Sequence, residues 1–347
     1  MQNLMPLVNT SDGVFHDGDP STGELGTVVH AEHMNNLQSA IRNTQSELID
    51  ILANAGISPN SGSDTQLLNA LQKLFLQPKN YLSEIQSAGS EAMARAVENL
   101  GLGHGLTGII GDCRNAKMVV SSPSNMATFT ADELIVGTAL GGLQYRIGNF
   151  NKTINLTITG AGGMDTGSSP NWGNVALYAI YNPTTAESAL LAVDSTNSVP
   201  STVYSGANMP AGFTASALVS IVPTRPGSVF AQLSQIGRTI SVRPTPVLFT
   251  STATAELTAI DISGGVPKGA VSVALVGNAS ISGTGGLFLN IYETSVGTGQ
   301  HQIATTSTGL SATFTDIQLP DSQMVYATYG PAESGFFQGL SVSSYKI

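Results

Sequence analysis

The sequence predicts a mainly β protein with an α-helical N-terminal region, and three observations predict it. Apolar residues recur by threes and fours between Met34 and Ala55, which is the helical period. From about Asp112 that period gives way to short apolar runs separated by Gly, Pro and Asn, the pattern of strands and turns. Charged residues make up only 10% of the chain, so Ser, Thr, Asn and Gln must cover most of its surface, as suits a β-rich protein working outside a cell.

The 347 residues allow two or three ordinary domains. Taken in order, residues 1–26 read as an extended arm. Its HDGDPSTGELG stretch is rich in turn formers and has little to bury. His16, Asp17 and Asp19 are considered as metal ligands there, but a solvated turn accounts for them, since a hard cation needs several converging oxygens. Residues 27–105 form a helical region. Thr27 is placed to cap its first helix, Gly56 to stop it, and Pro59 follows. Met34, Leu37, Ile41, Leu48, Ile51 and Ala55 make a heptad seam interrupted by Thr44. Spacing alone leaves open whether this seam packs on other helices or on its own domain. His33, Gln38, Ala40, Gln45, Glu47 and Leu52 flank it without complementary ion pairs.

A second short helix is expected from Asp64, with Leu67, Leu68, Leu71, Leu74 and Phe75 on one face and Pro78 ending it. A third, Ala-rich helix is expected with Ser90 as its cap and a close at Asn99–Leu100–Gly101. His104, among glycines, reads as a loop residue. A β domain is expected over 106–245, with strands at Thr153–Thr159, VALYAIY, ALVSIV and RTISV. Pro244 and Pro246 mark the expected boundary to a C-terminal β-sandwich or jelly roll over 246–347. Its strands are ELTAIDI, AVSVALV, LFLNIYET, ATFTDIQL, MVYATY and GLSVSSYKI.

Composition limits the function. A net charge of −10 without a Lys/Arg cluster argues against nucleic acid and against a basic membrane patch. No apolar run approaches the roughly 18 residues of a membrane span, and no membrane insertion is expected. The N-terminus lacks a basic segment followed by an apolar core, so a cytoplasmic origin without a signal peptide is expected. The single cysteine, Cys113, reads as a small buried hydrophobe.

Several segments carry a resemblance. FHDGDPSTGELGTVV, a helical stretch, and GISPNSGSDTQLLNAL are together similar to the N-terminal region of bacteriophage and prophage tail-fibre proteins. NYLSEIQSAGSEAMARAVENLGLG resembles the linker of such fibres. RNAKMVV, ADELIVGTALGGLQYRIGNFNKTINLTITGAGGMDTG and VALYAIYNPTT resemble a β domain of enterobacterial receptor-binding proteins. These matches cover most of 14–240, in the family's order. The departures are a single linker copy and no long shaft.

The resemblance implies a homotrimeric fibre, with a helical bundle or coiled coil built on Met34, Leu37, Ile41, Leu48 and Ile51, and β-sandwich domains after it. It implies attachment to a phage tail or baseplate protein through the N-terminal arm, where His16, Asp17 and Asp19 lie. It implies binding of a bacterial surface glycan or outer-membrane protein through the C-terminal β domains. The expected site is the virion, with the protein made in the host cytoplasm and released by lysis, and with no cofactor and no enzyme activity. The alternatives are a polysaccharide-cleaving tail spike and a structural baseplate or collar adaptor.

MDTGSSPNW resembles the catalytic loop of aspartic proteases, but no second Asp-Thr-Gly supplies the partner carboxylate, so Asp165 reads as a turn residue. Glycan hydrolysis needs two facing carboxylates. Asp132 and Glu133, the adjacent pair beyond residue 105, would alternate across a strand. No GxSxG elbow frames a serine. The recognition candidates are therefore aromatic or imidazole side chains: Trp172 in a Ser/Asn/Gly-rich loop, His301 after Gly297, and Tyr329, Phe336 and Phe337 near the C-terminus. Tyr326 and Tyr329 fall on opposite strand faces, and Phe336–Phe337 before Gln-Gly leaves at least one ring outside the core.

Overall fold

The computed structural model describes residues 5–77, 82–100, 108–321 and 323–347. The expected helix stop at Pro78, the start of the linker and His104 lie outside the described residues. Two compact units divide the chain at Gly89/Ser90.

The first unit is helical: α1 (Ala31–Asn54), α2 (Gln66–Leu74) and α3 (Ser83–Ser87). α1 starts four residues after Thr27, which does not cap it. Thr27 instead pairs with His16: each backbone N–H donates to the other residue, at 2.9 Å, onto Thr27 Oγ1 and the His16 carbonyl. The arm is a hairpin rather than an extended strand. Asp19 pairs with Glu24, and the carboxylate of Asp19 accepts both the N–H and the hydroxyl of Ser21. Gly18 and Gly26 face each other so closely that a Cβ on either would sit 2.7 Å from the other's nitrogen. Only glycine fits there.

α1 ends as expected. Gly56 is left-handed at φ 66°, and the N–H groups of Gly56 and Ile57 close onto Ala53 and Leu52. This Schellman pattern satisfies carbonyls that the helix end leaves open. Lys73 Nζ adds a hydrogen bond to the Ala55 carbonyl at 2.9 Å, a cation on the negative helix end. Leu52, Ala55 and Ala70 form a small core, with Ile51 and Ile57 against it. The last turn of the seam is thus covered by α2 of the same chain. Thr44, the seam's polar interruption, returns its hydroxyl to the Ala40 carbonyl.

The second unit begins with α4 (Ser90–Asn99), followed by seventeen strands among the described residues. Ser90 is the first residue of α4 and its hydroxyl donates to the Pro183 carbonyl instead of capping the helix. In order, the strands are β1 (Cys113–Arg114), β2 (Lys117–Val120), β3 (Met126–Gly137), β4 (Gln144–Asn155), β5 (Asn174–Asn182), β6 (Glu187–Asp194), β7 (Ala215–Arg225), β8 (Val229–Phe230) and β9 (Leu233–Ile236). Then come β10 (Thr239–Thr250), β11 (Thr254–Asp261), β12 (Ser272–Ser280), β13 (Leu287–Tyr292), β14 (His301–Thr305), β15 (Gly309–Gln318), β16 (Met324–Gly330) and β17 (Phe337–Lys346). One antiparallel sheet runs β15-β12-β17-β10-β9-β2-β3-β7-β5-β6, with β1 and β4 on β3 and β8 on β7. A second runs β11-β16-β13-β14.

The six C-terminal strands expected from sequence all form. The expected strand Thr153–Thr159 stops at Asn155, whose side chain accepts the N–H and hydroxyl of Thr157 and turns the chain, leaving Ile158 exposed. VALYAIY is buried on both faces, one against the main core and one against Tyr204 and Phe213. That is why it reads as a continuous apolar run.

The boundary expected at 245/246 is corrected by the structure, because it falls inside β10. β10 pairs with β17 from Thr239 to Thr250 through two register shifts, and with β9 only as far as Val242. Beyond Val242 one side of the strand is open, and a proline there costs no ladder hydrogen bond. A single core joins Phe129, Phe150 and Phe230 to Leu289, Val325 and Val342. Tyr345, fully buried on β17, donates its hydroxyl to the Ile221 carbonyl on β7 at 2.7 Å. The two expected β domains are one unit.

Candidate functional site

A well-formed cleft of the second unit lies where those two expected domains join. It holds about 330 Å³ and has Trp172 at its rim. The loop TGSSPNWGN leads into β5 and is fastened on both sides of the tryptophan. Gly173 N–H donates to Thr224 Oγ1, whose own proton goes to the Pro170 carbonyl at 2.7 Å. The Thr224 N–H donates to the Gly173 carbonyl, and Asn174 N–H to Thr196 Oγ1. Held this way, Trp172 takes φ +57°, a left-handed backbone that a bulky side chain rarely adopts. The residue remains 69% exposed.

The Arg225 guanidinium sits over the indole, 5.1 Å from the ring centre. This cation–π contact arises because β7 and the Trp172 loop are tied together by Thr224, one residue away. Across the cleft, Arg243 on β10 donates to Gln232 Oε1 at 3.1 Å, and Gln232 in turn donates to the Ser121 carbonyl. Val266 and Tyr345 lie behind them. Among the described residues two arginines and no Asp or Glu line this cleft, in a chain with 13 basic and 23 acidic residues. The site therefore offers an exposed aromatic side chain and two cations in one cleft.

The other candidates scatter. Tyr329 and Phe336 are buried and stacked, 6.2 Å apart with nearly parallel rings. As part of the core they present no face to a ligand, and as recognition residues they are corrected. Tyr326 is on the opposite strand face, as expected, with its hydroxyl on Asp321. Phe337 is half-buried and meets Phe249, itself 82% exposed, edge to face at 4.8 Å. His301 opens β14 and lies 3.6 Å from Glu293 Oε1.

In the first unit, His16 pairs with Asp12 at 2.9 Å, Asp19 is engaged by Ser21, and Asp17 is exposed. Hydrogen bonds from Ser21 hold the Asp19 carboxyl below its usual range. No group of three metal-ligating side chains converges among the described residues. Met34, Leu37, Ile41 and Leu48 are 37–51% exposed, so most of the seam is open, while Ile51 is half-buried.

Asp165 accepts hydrogen bonds from Tyr204 Oη and the Thr166 N–H, the work of a turn residue. Asp132 takes Asn115 and Glu133 lies 3.7 Å from Arg146. Sequence reasoning found Trp172 but missed Arg225, Gln232 and Arg243. They are lone polar residues in the sequence, and only strand pairing brings them together.

No protein-family model matches this chain. It is similar to "Uncharacterized protein StfP" of Escherichia coli (strain K12), with 36% identity over 91 residues. The matched part is 26% of this chain and 39% of that protein's length.

Proposed function

We propose that this chain is a structural, non-enzymatic component of a phage or prophage tail fibre, assembled as a homotrimer. In this reading the arm around His16, Asp17 and Asp19 attaches to a tail or baseplate protein. The β unit faces the bacterial surface and binds a glycan or an outer-membrane protein there. The protein is made in the host cytoplasm, forms part of the virion and is released by lysis.

The observation that carries the proposal is the open seam of α1. Met34, Leu37, Ile41 and Leu48 are left in water, as are Leu67, Leu68, Leu71 and Leu74 of α2. Two apolar stripes of this length have no reason to stay exposed on a single chain, and packing against other copies would remove them from solvent. The tail-fibre segments found in the sequence flank and include these same helices. The non-enzymatic reading is supported by the lining of the Trp172 cleft, which offers arginines where glycoside hydrolysis needs paired carboxylates.

Sedimentation equilibrium of the full chain tests the assembly. A trimer is expected at micromolar concentration, and Ile41→Asp with Leu48→Asp is expected to dissociate it, because each change buries an unpaired charge worth roughly 3–5 kcal/mol. A wild-type monomer refutes the assembly. Binding of fluorescently labelled protein to a panel of enterobacterial cells tests the receptor role, and a failure to label any strain counts against it.

A further inference from the structure

We infer that the Trp172 cleft binds an anionic saccharide, with the indole as the platform for a sugar ring and Arg225 and Arg243 as the anchors for its carboxylate or phosphate. This deepens the receptor-binding reading given above and rests on it.

Four features of the cleft converge on that chemistry. The indole is exposed although the chain holds one tryptophan, and it occupies a left-handed backbone conformation that the loop's hydrogen bonds impose. Backbone outliers of this kind are kept where the surroundings hold them in place, and they cluster at ligand sites. The C–H face of a pyranose packs well on such a ring, whose body is apolar.

The second feature is charge. Arg225 is stacked on the indole and Arg243 is held by Gln232, so neither guanidinium must be ordered when an anion arrives. Planar guanidinium groups match carboxylate and phosphate oxygens two at a time.

Third, no Asp or Glu is among the described residues that line the cleft, and the neighbouring Asp261 carboxylate is taken up by the Ser263 N–H at 2.8 Å. The net charge of −10 is carried elsewhere, and its repulsion fades beyond a Debye length of about 8–10 Å in physiological salt.

The fourth feature is the remaining lining. Asn174, Thr245 and Ser263 bring an amide and two hydroxyls to the same space, partners suited to sugar hydroxyls. A cleft of about 330 Å³ has the size of a site for one or two sugar rings.

The single tryptophan makes the test direct, because all indole emission comes from the proposed platform. The full-length protein is titrated with sialyllactose and digalacturonate as carboxylate sugars, with mannose phosphate as the phosphate sugar, and with lactose as the neutral control. At least one anionic sugar is expected to shift the emission with a millimolar or tighter Kd. Lactose should bind at least about tenfold more weakly, and added salt should weaken the anionic sugar. Which sugar responds separates a carboxylate from a phosphate ligand.

Arg243→Gln, an exposed position, should weaken binding at least about fivefold with the thermal midpoint unchanged, since an ion pair to the sugar is lost and no packing. Arg225→Gln should weaken binding by a similar factor when read by calorimetry. Emission that no anionic sugar alters at about 20 mM overturns the inference, as does equal binding of lactose or unchanged binding in both arginine variants. A trimer that still labels cells but binds none of these sugars removes the cleft assignment and leaves the fibre reading standing. A monomer that binds the sugars but no cells does the reverse.

Discussion

The left-handed backbone at Trp172 can be tested by two truncations that differ only in a Cβ. Trp172→Ala and Trp172→Gly both remove the indole and its contact with Arg225, which at an exposed site is worth about 0.5–1 kcal/mol. They differ at φ +57°, where a residue with a Cβ costs about 1–2 kcal/mol and glycine costs nothing. Glycine gives back part of this advantage, roughly 0.4–1 kcal/mol, through the greater freedom of its unfolded chain. The net expectation is that the glycine variant is more stable than the alanine variant by about 0.5–1 kcal/mol. For a unit of this size that is ~1–4 °C in thermal midpoint.

The hydrogen bonds through Thr224 are what hold the conformation. Thr224→Val removes the acceptor of the Gly173 N–H and the donor to Pro170 while keeping the shape. In that background the alanine–glycine difference should shrink, and the double-mutant cycle measures by how much. Thermal unfolding followed by circular dichroism, with oligomeric state checked for each variant, is the assay. An alanine variant as stable as the glycine variant would refute the argument, since it means the loop can relax to negative φ without cost.

Two further outcomes follow from the core and the thiol. Gln235 is fully buried, accepts Ser220 Oγ at 2.6 Å and donates to the Val219 and Gly237 carbonyls. Gln235→Leu leaves three polar groups unpaired and should cost about 3 kcal/mol, or ~6–12 °C in midpoint; a loss under about 1 kcal/mol counts against the network. Burial pushes the Cys113 thiol up to about 11 from its ordinary 9.0. Only the thiolate is alkylated, so at pH 8 the folded protein should react with iodoacetamide about a hundredfold more slowly than the unfolded chain. The rate should keep rising with pH up to about 11; equal rates folded and unfolded would contradict this.

Local chemistry was legible where it is self-sufficient. Gly56 reads as a helix stop because glycine alone enters the left-handed region freely, and the structure places it there. Tyr326 and Tyr329 separate onto two faces because strand side chains alternate. Trp172 was a candidate because of its polar loop, but only the structure shows it exposed. Thr27 and Ser90 were misread as caps because the sequence does not reveal competing partners. His16 and Pro183, eleven and ninety-three residues away, take those side chains instead. Tyr329 and Phe336 were misread for a similar reason. Aromatic residues beside turn formers look accessible until a second sheet covers them.

By itself, then, the sequence determined the helical start, the β-rich remainder, most strand positions and the apolar stripe on α1. All of these depend on the period of neighbouring residues along one chain segment. Only the tertiary structure decided that β10 runs through Pro244 and Pro246, because the cost of a proline depends on whether a neighbouring strand needs its N–H. It also decided that Arg225 and Arg243 line one cleft with Trp172, eighteen residues apart in sequence but on strands of the same sheet and core. Pairing between distant strands is set by which faces can be buried together, and no local pattern records that choice.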